Sequence, residues 1–375
     1  MRAPAFFCIA ALVLSISSAA CAAGGMPSVP AGFTIQRVAT VNGARELAFA
    51  PNGDLFVGTL GSAVYVVPHA DAAGAAGTPG VFAQFGDSPA AGVTLSGDSI
   101  YVGTQFAVWQ IPYKSGDLRA RSAPQRLASV RTSGVSSDHV TTSVAVAKGV
   151  LYASVGSSCN ACSPDLDQTR ATVGRVAGGS YSVIARNIRN AIALAANQNT
   201  GALWAGVAGQ DELPSGHPYE IFDDVSAHSP PVSYGWPTCY ENHQGSNCSG
   251  VAVSRIVFPA YATPIGATFY PQRPSGRYKF PSRYAGGAFV TLHGSWHGPP
   301  FVAPQVVYVT MHGDSPLTAV KWNDPSRQWS EFVGGYQADG SNQRIGRPTG
   351  IAIGPQGDLF VADDDTGAIY RIRPR

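Results

Sequence analysis

The sequence predicts an all-β protein folded as a six-bladed β-propeller, and three observations carry that expectation. With 43 glycines and 28 prolines in 375 residues, nearly one position in five is a poor one for a helix interior. No G-X-Y period accompanies them, so the composition does not mean collagen. Short β-rich runs broken by turn residues recur six times along the chain, and the first four turn glycines, Gly53, Gly97, Gly149 and Gly201, are spaced about 44 to 52 residues apart, near one blade each. A β-sandwich would require this self-similarity to be accidental.

The repeats follow in order. Glu46–Leu60 alternates small and apolar residues around Pro51-Asn52-Gly53-Asp54, and Gly92–Gln105 does the same around Ser96-Gly97-Asp98. Thr142–Ser157 turns at Lys148-Gly149, and Asn190–Gly209 turns at Thr200-Gly201. The fifth repeat is split, with Ile265–Tyr270 partnered by Gly287–Ser295. The sixth, Gly350–Asp363, turns at Pro355-Gln356-Gly357-Asp358. A third run follows most of them, beginning at Val64, Val108, Val306 and Ile369. Such a unit cannot bury both faces alone, so neighbours must pack around a common channel. The segment from Phe33 to Ala39 precedes the first repeat and is expected to complete the last blade. Residues 23–375 thus read as one domain, with insertions at about 210–262 and 297–345.

Residues 1–22 read as an export signal: Arg2 supplies the charge, and Ala5–Ile16 is an apolar run too short to span a bilayer. Cleavage before Ala23 and a lipobox-like reading that lipidates Cys21 compete. An exported, periplasmic protein is expected, touching a membrane only if Cys21 carries a lipid. Cys159, Cys162, Cys239 and Cys248 remain, an even number in an oxidising compartment. Of the three possible pairings the local ones, Cys159–Cys162 and Cys239–Cys248, are favoured because each closes a loop rich in turn residues. An all-cysteine zinc centre is the alternative.

A formal charge of +2 gives no electrostatic footprint for nucleic acid. The chain has no G-x-S-x-G, H-E-x-x-H, G-x-x-x-x-G-K or G-x-G-x-x-G, which removes the common hydrolase, zinc peptidase and nucleotide-binding signatures. What remains is a set of polar residues at repeat starts: Arg45-Glu46, His139, Arg189-Asn190 and Arg347. Equivalent positions in different blades converge on one channel mouth. An imidazole among guanidiniums suits a general base beside an anionic ligand. Asp363-Asp364-Asp365 falls where a hairpin turn is expected and reads as a solvated turn.

These residues carry a family resemblance. Asp138-His139 with Val155–Cys162, Ile188–Leu194, Thr200–Trp204, Asp211-Glu212-Leu213, Tyr234–Tyr240, Phe289–Trp296 and Gly346–Gly350 resemble, in order, the soluble pyrroloquinoline-quinone (PQQ) sugar dehydrogenases. The sorbosone/aldose dehydrogenase branch is the most similar. The resemblance implies a six-bladed propeller with PQQ lying over the channel mouth and a calcium ion beside it. It implies His139 as the base that takes the substrate's hydroxyl proton, and Arg189 as the cation that polarises the quinone oxygen. Asn190 would position the cofactor, Arg347 would pair with one of its carboxylates, and Trp296 would stack on the quinone or sugar ring. Calcium would rest largely on backbone carbonyls near Gly209, with Asp211 and Glu212 as neighbours. The substrate would be a sugar, and the electrons would pass to a periplasmic acceptor.

The sequence departs from that family at His297-Gly298, at Gln305 where a lysine is usual, and at Ala208-Gly209-Gln210-Asp211. Each removes a polar or basic partner for a tricarboxylate. Two other readings stand beside the dehydrogenase. A calcium-dependent lactonase-type hydrolase would need several acidic side chains at the channel centre, where the sequence offers Glu46 and few others. A non-catalytic propeller that binds glycans or proteins would fit the lost basic residues but leaves His139 and Arg189-Asn190 without a task.

Overall fold

The computed structural model describes residues 25–131, 138–214, 216–296, 301–338 and 343–375. The signal segment with Cys21, and the departures at His297 and Gly298, lie outside the described residues. Among the described residues the regular structure is β-strand with three short 3-10 turns.

The chain runs through successive four-stranded antiparallel units. After β1 (Phe33–Thr40) come β2 (Ala44–Phe49), β3 (Leu55–Thr59), β4 (Ala63–Val67) and β5 (Gly80–Gln84). Next are β6 (Ala90–Ser96), β7 (Ser99–Thr104), β8 (Ala107–Pro112) and β9 (Gln125–Ser129), then β10 (Thr142–Ala147), β11 (Val150–Val155), β12 (Thr172–Ala177) and β13 (Ser180–Arg186). β14 (Asn190–Asn197), β15 (Ala202–Ala208) and β16 (Glu220–Asp224) lead into a long excursion. In it β17 (Val232–Ser233) adds in parallel to β13, and β18 (Cys239–Tyr240) pairs with β19 (Gln244–Gly245). β20 (Ile256–Phe258) then returns to close the sheet against β16. The next unit holds β21 (Pro264–Phe269), β22 (Ala288–Leu292) and β23 (Gln305–Val309), a small hairpin of β24 (Met311–His312) and β25 (Ser315–Pro316), and β26 (Trp329–Val333). The last holds β27 (Pro348–Ile353), β28 (Leu359–Asp363) and β29 (Ala368–Pro374).

β1 supplies the outer strand of that last sheet by pairing antiparallel with β29, as the position of Phe33–Ala39 predicts. The first strands β2, β6, β10, β14, β21 and β27 neighbour one another in that order, and β27 returns to β2. They enclose a channel of about 270 Å3, lined by residues from all of them. The architecture is propeller-type. All the predicted repeats form hairpins between a first and a second strand. Their turn glycines, Gly53, Gly97, Gly149, Gly201 and Gly357, all take the positive φ that L-residues avoid.

The core lies between facing sheets. One cluster packs Phe33, Tyr270, Phe280, Phe289, Phe332 and Tyr370 between the last unit and its predecessor; another packs Trp204, Phe222, Phe258 and Phe269. The spans read as insertions carry more than loops, since β16, β20, β23 and β26 all fall within them. Both local disulfides form, Cys159–Cys162 and Cys239–Cys248.

Candidate active site

Because first strands run outward from one mouth, the residues just before them share it. His139 precedes β10, Arg189 precedes β14, Thr263 precedes β21 and Arg347 precedes β27. A cleft of about 490 Å3 at this mouth is lined by His139, Arg189, Asn190, Gly209 and Trp296, together with Asn160, Asp211, Glu212 and Glu220. Five of the sequence-predicted residues are thus brought together. Arg347 is not among the lining residues. It stands behind Trp296, donating from Nε to the His293 carbonyl (3.1 Å) and from Nη2 to that of Gly294 (2.9 Å).

His139 holds a left-handed φ of 46°, uncommon for a residue with a side chain. Two buried arginines fix its loop. Arg131 donates to the carbonyls of His139 (2.8 Å) and Thr141 (2.6 Å), and Arg170 to those of Asp138 (2.9 Å) and Ser157 (2.8 Å). The His139 Cβ packs against Gly156, where an added Cβ would come within 2.5 Å of both it and the Asn190 Oδ1; only a glycine fits there. His139 Nδ1 lies 2.9 Å from the Ser157 carbonyl. A carbonyl only accepts, so Nδ1 carries the proton and Nε2 keeps its lone pair. Burial, and then the nearby charge of Arg189, push the imidazole down to about 4, so it is neutral at pH 7.

Arg189 is buried, and all five of its N–H groups have protein acceptors. Nε donates to the Asn160 carbonyl (3.1 Å) and Nη2 to Asn160 Oδ1 (3.0 Å) and Asp211 Oδ2 (2.9 Å). Nη1 donates to the carbonyls of Gly209 (2.5 Å) and Ala208 (3.4 Å). The guanidinium therefore acts on the cleft through its charge while its hydrogen bonds hold the 208–211 loop. Gly209 is gripped from both sides, its N–H donating to Glu220 Oε2 (2.5 Å). Glu220 also accepts from Tyr261 N–H (2.9 Å), and burial raises its carboxyl to about 8.

Across the mouth Trp296 is 69% exposed, a flat apolar surface over the cleft. The turn before it is cradled by Arg347 and by Arg344, which donates to the Ser295 carbonyl and to Gln337 Oε1. Both guanidiniums are thus bonded to neutral oxygens. Burial, with Arg344 alongside, lowers Arg347 to about 10. Asp364 overturns the reading of Asp363-Asp364-Asp365 as a solvated turn. The triplet does lie at a hairpin end, but Asp363 is fully buried and Asp364 accepts from Arg45 Nη1 (2.7 Å) and His293 Nε2 (2.9 Å). Burial works against its charge, yet those two partners hold it down to about 2.

Glu46 lies inside the channel, accepting from the backbone N–H of Val93 (3.0 Å), and burial raises it to about 8. It bonds inner strands to each other and does not line the cleft. Among the described residues no three His, Cys, Asp or Glu side chains are grouped to hold a metal. Gln305 opens β23 opposite Leu292. Sequence reasoning missed Asn160, Glu220, Arg131 and Arg170.

Residues 234–375 match the family model described as TrAA12-like. The fold is shared with solved structures at low identity. The pyranose dehydrogenase PQQ domain of Coprinopsis cinerea, in its holo form, is 18% identical with a TM-score of 0.77, covering 93% of this chain and 97% of that one. A Trichoderma reesei enzyme of carbohydrate-active family AA12 is 17% identical with a TM-score of 0.76 over 93% and 98%. The PQQ-bound aldose sugar dehydrogenase of Streptomyces coelicolor is 18% identical with a TM-score of 0.64 over 92% and 99%. No curated protein matches the chain by sequence. The fold is thus shared with sugar dehydrogenases that bind PQQ, the family model matches residues 234–375 alone, and nothing in either singles out the sorbosone branch.

Proposed function

We propose that this chain is a PQQ-dependent oxidoreductase, built as a six-bladed propeller, that oxidises a sugar: an aldose, sorbosone or a related aldehyde. The carrying observation is a neutral imidazole with a fixed tautomer, His139, in one cleft with Arg189, Asn190 and Gly209. The ring of first strands β2, β6, β10, β14, β21 and β27 supports the blade count. The solved relatives whose fold it shares are sugar dehydrogenases that bind PQQ.

The residues present fit the cofactors. Beside Trp296, Arg344 and Arg347 give hydrogen bonds to neutral oxygens, with Asp364 and Asp365 near enough to act on their charge, and guanidiniums so placed suit a carboxylate. On the opposite side Gly209 keeps a second carbonyl lone pair beyond its bond to Arg189, an oxygen of the kind calcium takes, with Glu212 on the same cleft wall. A calcium-bound structure exists for the Trichoderma enzyme. When bound, the quinone supplies the acceptor for the hydride that leaves the substrate carbon.

His139 Nε2 takes the proton of the hydroxyl on that carbon, while Nδ1 stays bonded to Ser157. The fixed charge of Arg189 favours negative charge developing nearby. Trp296 offers a face for a ring to lie on. Export and transfer of electrons to a periplasmic acceptor belong to the same proposal, on the signal-like residues 1–22. The lactonase reading is not favoured, since among the described residues no three acidic side chains are grouped to hold a metal and Glu46 is occupied within the channel.

Reconstitution tests the proposal. Purified protein is titrated with PQQ and calcium, and dye reduction is followed over a panel of aldoses and sorbosone. The expected result is activity that requires the quinone, is lost on chelation, and falls about 100- to 10,000-fold in His139→Ala. Absence of quinone binding at micromolar concentration would sink the proposal.

A further inference from the structure

Four residues, Cys159 to Cys162, form a disulfide-closed loop beside the cleft. Asn160, inside this loop, turns its carbonyl and its side-chain amide outward. Its carbonyl accepts from Arg189 Nε (3.1 Å) and from the indole N–H of Trp236 (2.9 Å). Its Oδ1 accepts from Arg189 Nη2 (3.0 Å) and from the Asp211 N–H (2.8 Å), and its Nδ2 donates to the Asp211 carbonyl (3.0 Å). The side-chain amide thus reads the backbone of Asp211 as a strand neighbour would, donor to acceptor and acceptor to donor. Two residues before the loop the same segment reaches the base: Ser157 Oγ donates to the Cys159 carbonyl (2.7 Å), and the Ser157 carbonyl takes His139 Nδ1–H.

The Asp211 strap is otherwise held by Arg189, by the Gly209 N–H bond to Glu220 and by the Glu212 N–H bond to the Tyr261 hydroxyl (3.3 Å). Residues 209–214 form no strand, and Glu212 holds a left-handed φ of 66°. Asp211 returns a contact to Arg189 through its carboxylate, so Asn160, Arg189 and Asp211 close a triangle of hydrogen bonds at the cleft wall. An amide is suited to this position because it donates and accepts at once. A carboxylate keeps the two accepted bonds and loses the donated one; alanine loses all three side-chain bonds.

From this we infer that Asn160 is the positioning residue of the site. Braced by the Cys159–Cys162 disulfide, it sets the Arg189 guanidinium and the Gly209–Asp211 strap against the cleft that His139 shares. The inference rests on the dehydrogenase reading for its catalytic consequence, but its structural content does not.

The test uses the full chain with two readouts. The first is amide hydrogen exchange without cofactor. In Asn160→Ala the Asp211 amide should exchange roughly tenfold faster or more, while amides of β14 and β15 keep their protection. Asn160→Asp should lie near the parent protein, and Cys159→Ser with Cys162→Ser should loosen the same amide. The second readout is steady-state kinetics after reconstitution. Asn160→Ala should lower kcat roughly 10- to 100-fold at a sugar KM changed little, with the acid limb set by His139 retained. Asn160→Asp should restore most of the loss. If the parent protein is inactive with PQQ, the dehydrogenase reading fails and the exchange experiment alone decides the inference. An Asp211 amide unchanged in Asn160→Ala overturns it, as does an equal loss in Asn160→Ala and Asn160→Asp. Should Asn160→Ala fail to fold, the cysteine pair carries the comparison, and unchanged Asp211 exchange in the cysteine variant rejects the inference.

Discussion

The imidazole of His139 gives its Nδ1 proton to Ser157, and its surroundings push its pKa down to about 4. Both facts bear on pH. A base is useful only while unprotonated, so kcat/KM should rise as pH climbs through about 4 and stay level above it as far as this group is concerned. A pH–rate profile measures this directly, and a limb near the ordinary histidine value of about 6.5 would mean the ring is solvated. Stability follows the same sign. Between pH 6.5 and 4 the unfolded chain binds a proton at His139 that the folded chain refuses, so stability should fall as pH falls through that window. His293, also pushed down to about 4 by burial, adds to the effect. What sequence reading could find at this scale were residues named by position at repeat starts. Asn160 and Glu220 escaped because their roles lie in bonds to the backbone of distant segments, which no local pattern records. The signal for Asn160 was its place between two cysteines three apart, and that segment was read for the disulfide and the family resemblance but not for a role of Asn160 itself.

At the level of elements, hairpins of first and second strands were legible because buried strands of alternating small and apolar residues meet at turns that demand glycine. Outer strands were not. β9 (QRLAS), β13 and β26 (WSEFV) are partly exposed strands whose pattern mixes polar and apolar residues. β16 and β20 are separated by a long excursion that hid their pairing. That excursion contains the second disulfide. Cys239 is buried, and its bond to Cys248 closes the turn that carries β18 and β19. Replacing both cysteines with serine should cost about 2–3 kcal/mol by the loop-closure argument for so short a ring. The expected outcome is a Tm lowered by a few degrees with kcat close to that of the parent protein, because neither cysteine lines the cleft. A large loss of kcat would instead tie the excursion to catalysis.

The whole molecule is a ring closed by chain ends that are far apart in sequence, and the cleft depends on that closure. His139, Arg189 and Trp296 come from separate units, so their distances are set by how sheets pack face to face and not by any loop they share. The ring is fastened where β1 pairs with β29, and Phe33 is the apolar anchor of that fastening. It is 2% exposed and meets Phe280, Tyr284 and Phe332 edge to face at centroid distances of 4.7, 5.7 and 5.2 Å. Phe33→Ala should therefore cost about 3–5 kcal/mol through lost burial and the cavity left behind. At this chain length that corresponds to roughly 4–7 °C in Tm, read by calorimetry. Because Phe33 is remote from the mouth, the effect on the site should come through the ring as a whole. Below its lowered Tm the variant should bind PQQ and turn over nearly as the parent does, and both should be lost together as the ring opens. A variant that loses quinone binding well below its unfolding transition would show that the mouth senses local strain at the β1–β29 seam. One that unfolds in two separated steps would show that the last unit detaches before the rest.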